Sequence, residues 1–161
     1  MNSSQKQADT RVVDAIDRKI LRQLQQDASL SIGELAERVS LSPNACWRRV
    51  KMLEQAGIIA RRVAILDANK LGLSLTAFVS VRAAEHSDEW LKGFVKAVSQ
   101  IPEVVEFYRM TGEIDYLLKI RIADIASYDA VYRRLIRSAK LADVSASFAM
   151  EEIKATTAVP V

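Results

Sequence analysis

The chain has 161 residues, half of them hydrophobic and 27% charged, with only five glycines and three prolines. It is long enough for one large domain or two small ones, and the composition is neither disordered nor collagen-like. One cysteine (Cys46) and one histidine (His86) exclude an intramolecular disulfide and a His/Cys zinc cage.

No apolar run reaches the roughly 18–20 residues that span a bilayer. The polar stretch Met1–Thr10 lacks the apolar core of a signal peptide. The expectation is a cytoplasmic protein without membrane contact, metal or cofactor. The net charge of +3 is unevenly spread: residues 1–66 hold 11 Lys/Arg against 7 Asp/Glu, a net of +4, and 67–161 hold 12 against 13, a net of −1. Positive charge gathered in one half is the footprint of a polyanion binder, or an ordinary solvated face.

Residues 1–10 read as a disordered tail. Helical periodicity then starts, with Ile16, Ile20, Leu21 and Leu24 on one stripe and Asp14 and Asp17 at the positive end of the dipole. This helix fades at Gln26-Asp27. A second runs from Ile32 to Val39 behind Ser31 as cap. Ser42-Pro43 opens a third, because proline has no N–H to waste in a first turn, and Gly57 stops it after Ala56. Residues 58–66 read as an extended hairpin or wing, and 67–72 as a linker. The domain expectation is a helix-turn-helix unit over 11–66 and a second domain over 73–161.

The second half alternates strands and helices. Residues 73–82 form a period-two strand, then Ser87 caps a helix with Trp90, Leu91, Phe94, Val95, Val98 and Ile101 on its stripe, ended by Pro102. Val104–Met110 and Tyr116–Ile122 are strands joined by the tight turn 111–115. Asp124 caps a helix carrying Val131, Leu135 and Ile136, and Val144–Met150 is a last strand. The order β-α-β-β-α-β is the split plait of ferredoxin-like domains, so the fold class is α+β. Helices cover one face of such a sheet; the other calls for a partner, most simply a second subunit.

On the third helix Cys46, Val50 and Leu53 share the buried stripe, while Asn44, Arg48, Lys51 and Gln55 fall opposite, with Trp47 and Arg49 on the flanks. The exposed face is polar and basic where a recognition helix presents side chains to base edges. Arginine suits guanine and asparagine suits adenine, so Arg48 and Asn44 are the base-reading candidates. Arg49, Lys51, Arg61, Arg62 and the Ser42 hydroxyl suit phosphates. Trp47 either leans on DNA sugars or packs inward, and Cys46 is a small core residue. A three-helix packing module with a solvated basic face is the alternative.

Val13–Leu21, Leu35–Pro43, Cys46–Glu54 and Gly57-Ile58-Ile59 together resemble the Lrp/AsnC family, the leucine-responsive or feast/famine transcriptional regulators of bacteria and archaea. Thr111-Gly112-Glu113-Ile114-Asp115-Tyr116 resembles the glycine-acid-x-Asp-Tyr hairpin of that family's amino-acid-sensing domain. The likeness spans about residues 12–157. The segments Ser147–Thr157 and His86–Trp90 look closer to the branch that includes the cysteine-responsive regulator of cysteine detoxification in enteric bacteria. Three positions depart from the pattern. Ser40 stands where many relatives carry glycine, so the turn is expected to differ locally. Ala45 stands where proline is common, and Glu113 replaces a frequent aspartate.

The resemblance implies a homo-oligomeric DNA-binding regulator, associated with the nucleoid. Its dimers would assemble into tetramers or octamers and bind a free amino acid where two dimers meet. An amino acid needs N–H donors for its carboxylate and an acceptor for its ammonium group. The loop offers both, which makes Thr111, Gly112, Glu113 and Asp115 the effector candidates, with Met110 and Tyr116 as neighbours and Ser145, Ser147 or Thr157 completing the pocket from the opposing dimer. A purely structural loop, with Gly112 supplying a positive φ and Asp115 bonding the backbone, is the alternative reading. His86 reads as a solvated loop residue. The chain carries no persuasive Ser/His/Asp set, no phosphate loop and no dinucleotide turn, so no enzyme activity is expected. The competing function is an architectural DNA-binding protein with little sequence preference and no effector.

Overall fold

The computed structural model describes residues 12–161; the tail expected at 1–10 lies outside the described residues. Two compact units emerge. One runs through Ile65 and takes in Lys154–Val161, and the other is Leu66–Ile153. The last eight residues thus belong with the helices rather than with the second half, as the sequence division at 73–161 had them.

The first unit holds α1 (Ala15–Gln26), α2 (Ile32–Arg38) and α3 (Pro43–Gln55). Side chains close each N-terminus. The Asp14 carboxylate accepts from Asp17 N–H at 2.7 Å and the Asp17 carboxylate accepts in return from Asp14 N–H at 3.4 Å, a reciprocal box repeated by Ser31 and Glu34 on α2. Ser42 caps α3, accepting from Ala45 N–H at 3.3 Å, with Pro43 in the first turn. Ile20, Leu35, Cys46, Val50 and Leu53 form the buried core between the helices.

Helices α2 and α3 end in the same way. Leu41 N–H donates to Ala36 O and Ser40 N–H to Glu37 O; Ile58 N–H donates to Leu53 O and Gly57 N–H to Glu54 O. Both are Schellman closures, which need a left-handed residue just past the helix. Gly57 supplies it at φ 71°, and Ser40 supplies it at φ 58° despite its side chain. The α2–α3 turn therefore keeps the left-handed geometry instead of departing from it, because two helix-end hydrogen bonds depend on that conformation.

The segment expected as an extended hairpin or wing at 58–66 forms no hairpin: residues 60–67 form no strand, and Val63, Ile65 and Leu66 are exposed. No Gly, Pro, Asn or Asp interrupts Ile58–Leu66 to reverse the chain, so the segment has nothing within it to pair with.

In the second unit a short 3-10 turn at Asn69–Leu71 precedes β1 (Leu75–Ala83), α4 (Asp88–Val98), β2 (Val104–Arg109), β3 (Tyr116–Ile122), α5 (Ile125–Ser138) and β4 (Leu141–Phe148). The four-stranded sheet has the order β2-β3-β1-β4, with every pairing antiparallel. That is the ferredoxin-like arrangement. Ala77, Val79 and Val81 of β1 and Leu118, Ile120 and Ile122 of β3 point to one side and bury against Phe94 and Val98 of α4 and Val131 and Leu135 of α5. Ser87 and Asp124 cap the two helices as the sequence suggested.

Several boundaries move, β1 to Leu75–Ala83 and the end of β2 to Arg109 among them. Helix α4 stops at Val98, where the N–H groups of Gln100 and Ile101 turn to i−3 carbonyls and tighten the chain before Pro102. Strand β4 starts three residues early and stops at Phe148, its pairing with β1 shifting register at Arg82/Ala83.

Candidate nucleic-acid interface and effector loop

The N-terminal half of α3 is the basic surface of the helical unit. With Cys46 and Val50 facing the core, the helix turns Asn44, Trp47, Arg48 and Lys51 outward, and all four are exposed. Trp47 keeps 51% of its surface, so it does not pack into the helical core. Burial raises the Cys46 thiol pKa and makes it a core side chain. The Ser42 oxygen accepts the Ala45 N–H, which leaves its hydroxyl hydrogen available to a phosphate at the helix N-terminus.

The basic side chains separate into three kinds. Arg48 and Arg61 make no ion pair among the described residues. Lys51 and Arg62 share Glu54, at 2.8 and 3.3 Å, and hold that carboxyl below its usual range, Lys51 more strongly. Both remain exposed, and surface pairs of this kind exchange readily for a phosphate.

Arg49 differs. Its Nη1 donates to Asp14 Oδ2 at 2.6 Å and to Asp17 Oδ1 at 2.9 Å; its side chain is 26% exposed and that of Asp17 is 1% exposed. The two carboxylates, Asp14 first, hold the guanidinium above its usual pKa. Expected at a phosphate, Arg49 instead fastens α3 to the start of α1. The Asp14-x-x-Asp17 spacing thus serves two ends, closing the start of α1 and holding Arg49.

The second unit places the 110–115 loop between β2 and β3. Met110 N–H donates to Asp115 O at 2.8 Å and closes the turn, while Gly112 sits at φ 109°, a conformation that side chains other than glycine's rarely adopt. The N–H groups of Thr111, Gly112 and Glu113 donate to nothing among the described residues. Thr111, Gly112 and Glu113 are exposed, and Met110 is partly so.

Asp115 is shared between roles. Its Oδ2 accepts from Ala83 N–H at 2.8 Å and its own N–H donates to Val81 O, which stitches the loop to the end of β1. Its Oδ1 lies 4.0 Å from Nδ1 of His86, a neighbour the sequence reading left in solvent. Tyr116 is 4% exposed, packed among Trp90, Phe94 and Phe107 with ring centroids 5.2–6.0 Å away. It is a core residue, held by tilted aromatic contacts rather than standing free beside the loop.

Residues 13–60 match a winged helix-turn-helix DNA-binding model and residues 76–159 match the Lrp/AsnC ligand binding domain. The chain belongs to the Lrp/AsnC family. It is 51% identical over 150 residues to the glutamate uptake regulatory protein of Zymomonas mobilis, covering 93% of this chain and 92% of that one. It is 50% identical over 151 residues to the DNA-binding transcriptional activator DecR of Escherichia coli, covering 93% and 99%. Among solved structures, a transcriptional regulator from Neisseria meningitidis in complex with L-Met superposes with a TM-score of 0.88 at 37% identity, covering 92% of this chain and 97% of that one. This Lrp/AsnC protein is a DNA-binding transcriptional regulator with an N-terminal winged helix-turn-helix and an α+β second half. Among the described residues no helix is long and apolar enough to cross a membrane.

Proposed function

We propose that α3 is the recognition helix of a sequence-specific regulator whose DNA binding or assembly responds to a free amino acid. The observation that carries the reading is Arg48, exposed on the outward face of α3 beside Asn44 and without an acidic partner among the described residues. Arg48 and Asn44 read base edges; Lys51, Arg61, Arg62 and Ser42 hold phosphates, and Trp47 lies against sugars. We assign DNA recognition to residues 11–66 and effector sensing and oligomerisation to residues 73–161, most of which lie in the sheet unit Leu66–Ile153.

The effector reading rests on the three N–H groups of Thr111, Gly112 and Glu113, which have no acceptor among the described residues and could serve an α-carboxylate. The carboxylate of Asp115 or Glu113 then takes the ammonium group, and Met110 borders the ligand. A homodimer is the building block. It would cover the sheet face opposite the helices, where Phe78 is 40% exposed, and the apolar row Val63, Ile65 and Leu66. Two recognition helices would enter major grooves about 34 Å apart or a multiple of that, and dimers would assemble into tetramers or octamers around the bound amino acid.

The test is a fluorescence-anisotropy titration on DNA from upstream of the protein's own gene against a shuffled duplex, at fixed salt. It is repeated with cysteine, leucine, methionine and glutamate. Tighter binding to the native fragment together with a shift by one amino acid supports the regulator reading, and cysteine is the effector we place first. Equal binding to both duplexes with no shift overturns it in favour of an architectural DNA-binding role.

A further inference from the structure

The outer face of α1 grips the end of the chain. The Gln25 carboxamide pairs with both main-chain groups of Val159: Val159 N–H donates to Gln25 Oε1 at 2.6 Å, and Gln25 Nε2 donates to Val159 O at 3.1 Å. A side chain that satisfies N–H and C=O together receives an extended segment as a neighbouring strand would. One turn earlier on the same face, Arg22 Nε donates to Val161 O at 2.8 Å. Pro160 fixes φ between the two contacts. The Val161 side chain joins Ile16 and Leu24 against the buried cluster of Ile20, Leu35, Cys46 and Leu53.

We propose that the Arg22–Gln25 face of α1 is a docking site for an extended segment and that its occupant is the chain's own Val159–Val161. Polar and apolar contacts agree: main-chain groups are read by Gln25 and Arg22, and an aliphatic side chain completes the core. The same helix presents Asp14 and Asp17 to Arg49 of α3 at its other end. The docked segment is thus part of the DNA-binding unit, and its loss loosens the helix against which the recognition helix is fastened. That last consequence rests on the assignment of DNA recognition to α3; the docking itself does not.

Hydrogen exchange on the full chain, on Gln25→Ala and on a chain lacking residues 158–161 tests the proposal. Amides of Leu21–Gln26 should exchange about three- to tenfold faster in Gln25→Ala, which loses two neutral hydrogen bonds, and at least as much faster in the shortened chain, which also loses the Arg22 bond and the Val161 packing. A free peptide of residues 156–161 at about 1 mM should restore protection to the shortened chain, since a short tether supplies an effective concentration of that order. The DNA dissociation constant should rise by a similar factor with an unchanged salt slope. Unchanged exchange in both variants overturns the docking site. Protection that depends on protein concentration overturns the own-chain occupant in favour of a second copy's segment. Faster exchange with unaltered DNA affinity supports the docking site and counts against α3 as the reader of DNA.

Discussion

Replacing Arg49 with alanine separates a structural cation from a DNA-contacting one. The substitution strips the guanidinium from Asp17, whose side chain is 1% exposed, and from Asp14. Removing one partner of a fully buried pair costs about 3–5 kcal/mol; Arg49 keeps a quarter of its side chain in water, so about 2–3 kcal/mol is the expected loss. For a helical unit of this size that lowers the thermal midpoint by roughly 10 °C or more. The Asp14 carboxyl sits below the ordinary aspartate value of 3.8, chiefly through the Asp17 N–H and then through Arg49. A folded pKa below the unfolded one gives stability that is present above the unfolded value and is lost as pH falls through the folded one. Arg49→Ala should therefore flatten the acid side of the stability profile below about pH 4. On DNA, measured well below the melting range, the slope of log K against log salt should stay put. A phosphate contact would instead reduce its magnitude by about 0.9. Wild-type stability combined with that reduced slope would refute the clamp.

Three further outcomes are expected. Arg48→Ala should weaken binding to the native operator by about 1–3 kcal/mol and relax preference at one base pair, read by anisotropy on single-base variants; equal loss on every duplex makes Arg48 a phosphate contact. Asp115→Ala should abolish the effector response with DNA binding intact and destabilise the sheet unit by about 1 kcal/mol through the lost Ala83 N–H acceptor. Asp115→Asn, which keeps an acceptor oxygen, should lose the response but retain the stability, and an unchanged response in both variants moves the ammonium site elsewhere. Ser40→Gly should raise denaturant stability by about 0.5–1 kcal/mol, because the left-handed conformation at φ 58° then costs no side-chain clash; a neutral or destabilising result means that the serine side chain makes up for its strain.

Periodicity and caps made the helices legible. Cys46, Val50 and Leu53 share one stripe, and Asp14, Ser31 and Ser42 stand where caps belong, so α1 to α3 could be drawn from local chemistry alone. The plait was legible for the same reason, since β3 alternates buried and half-buried side chains without a break. Three things required the tertiary structure. The partner of Arg49 lies 35 residues away at Asp14, and charge pattern cannot distinguish a guanidinium aimed at solvent from one folded back on a neighbouring helix. Residues 154–161 have no helical or strand pattern, so nothing local revealed that they return to α1. Tyr116 follows the effector loop by one residue, yet the strand pleat turns it inward.

The loop chemistry also bears on how an effector is chosen. In the proposed effector site, main-chain N–H groups at Thr111–Glu113 and a carboxylate at Asp115 would meet only the carboxylate and ammonium that every amino acid carries, and so would bind the class without discriminating within it. Choice among amino acids has to come from groups that touch the ligand side chain. Beside the proposed site the candidates for that role are Met110, partly exposed next to the loop, and His86, 4.0 Å from the Asp115 carboxylate. Exchanging Met110 and His86 should therefore reorder a panel of amino acids by side chain, whereas Asp115→Asn should weaken every member of the panel together. A uniform loss from the Met110 and His86 exchanges would place the discriminating groups on the opposing dimer instead.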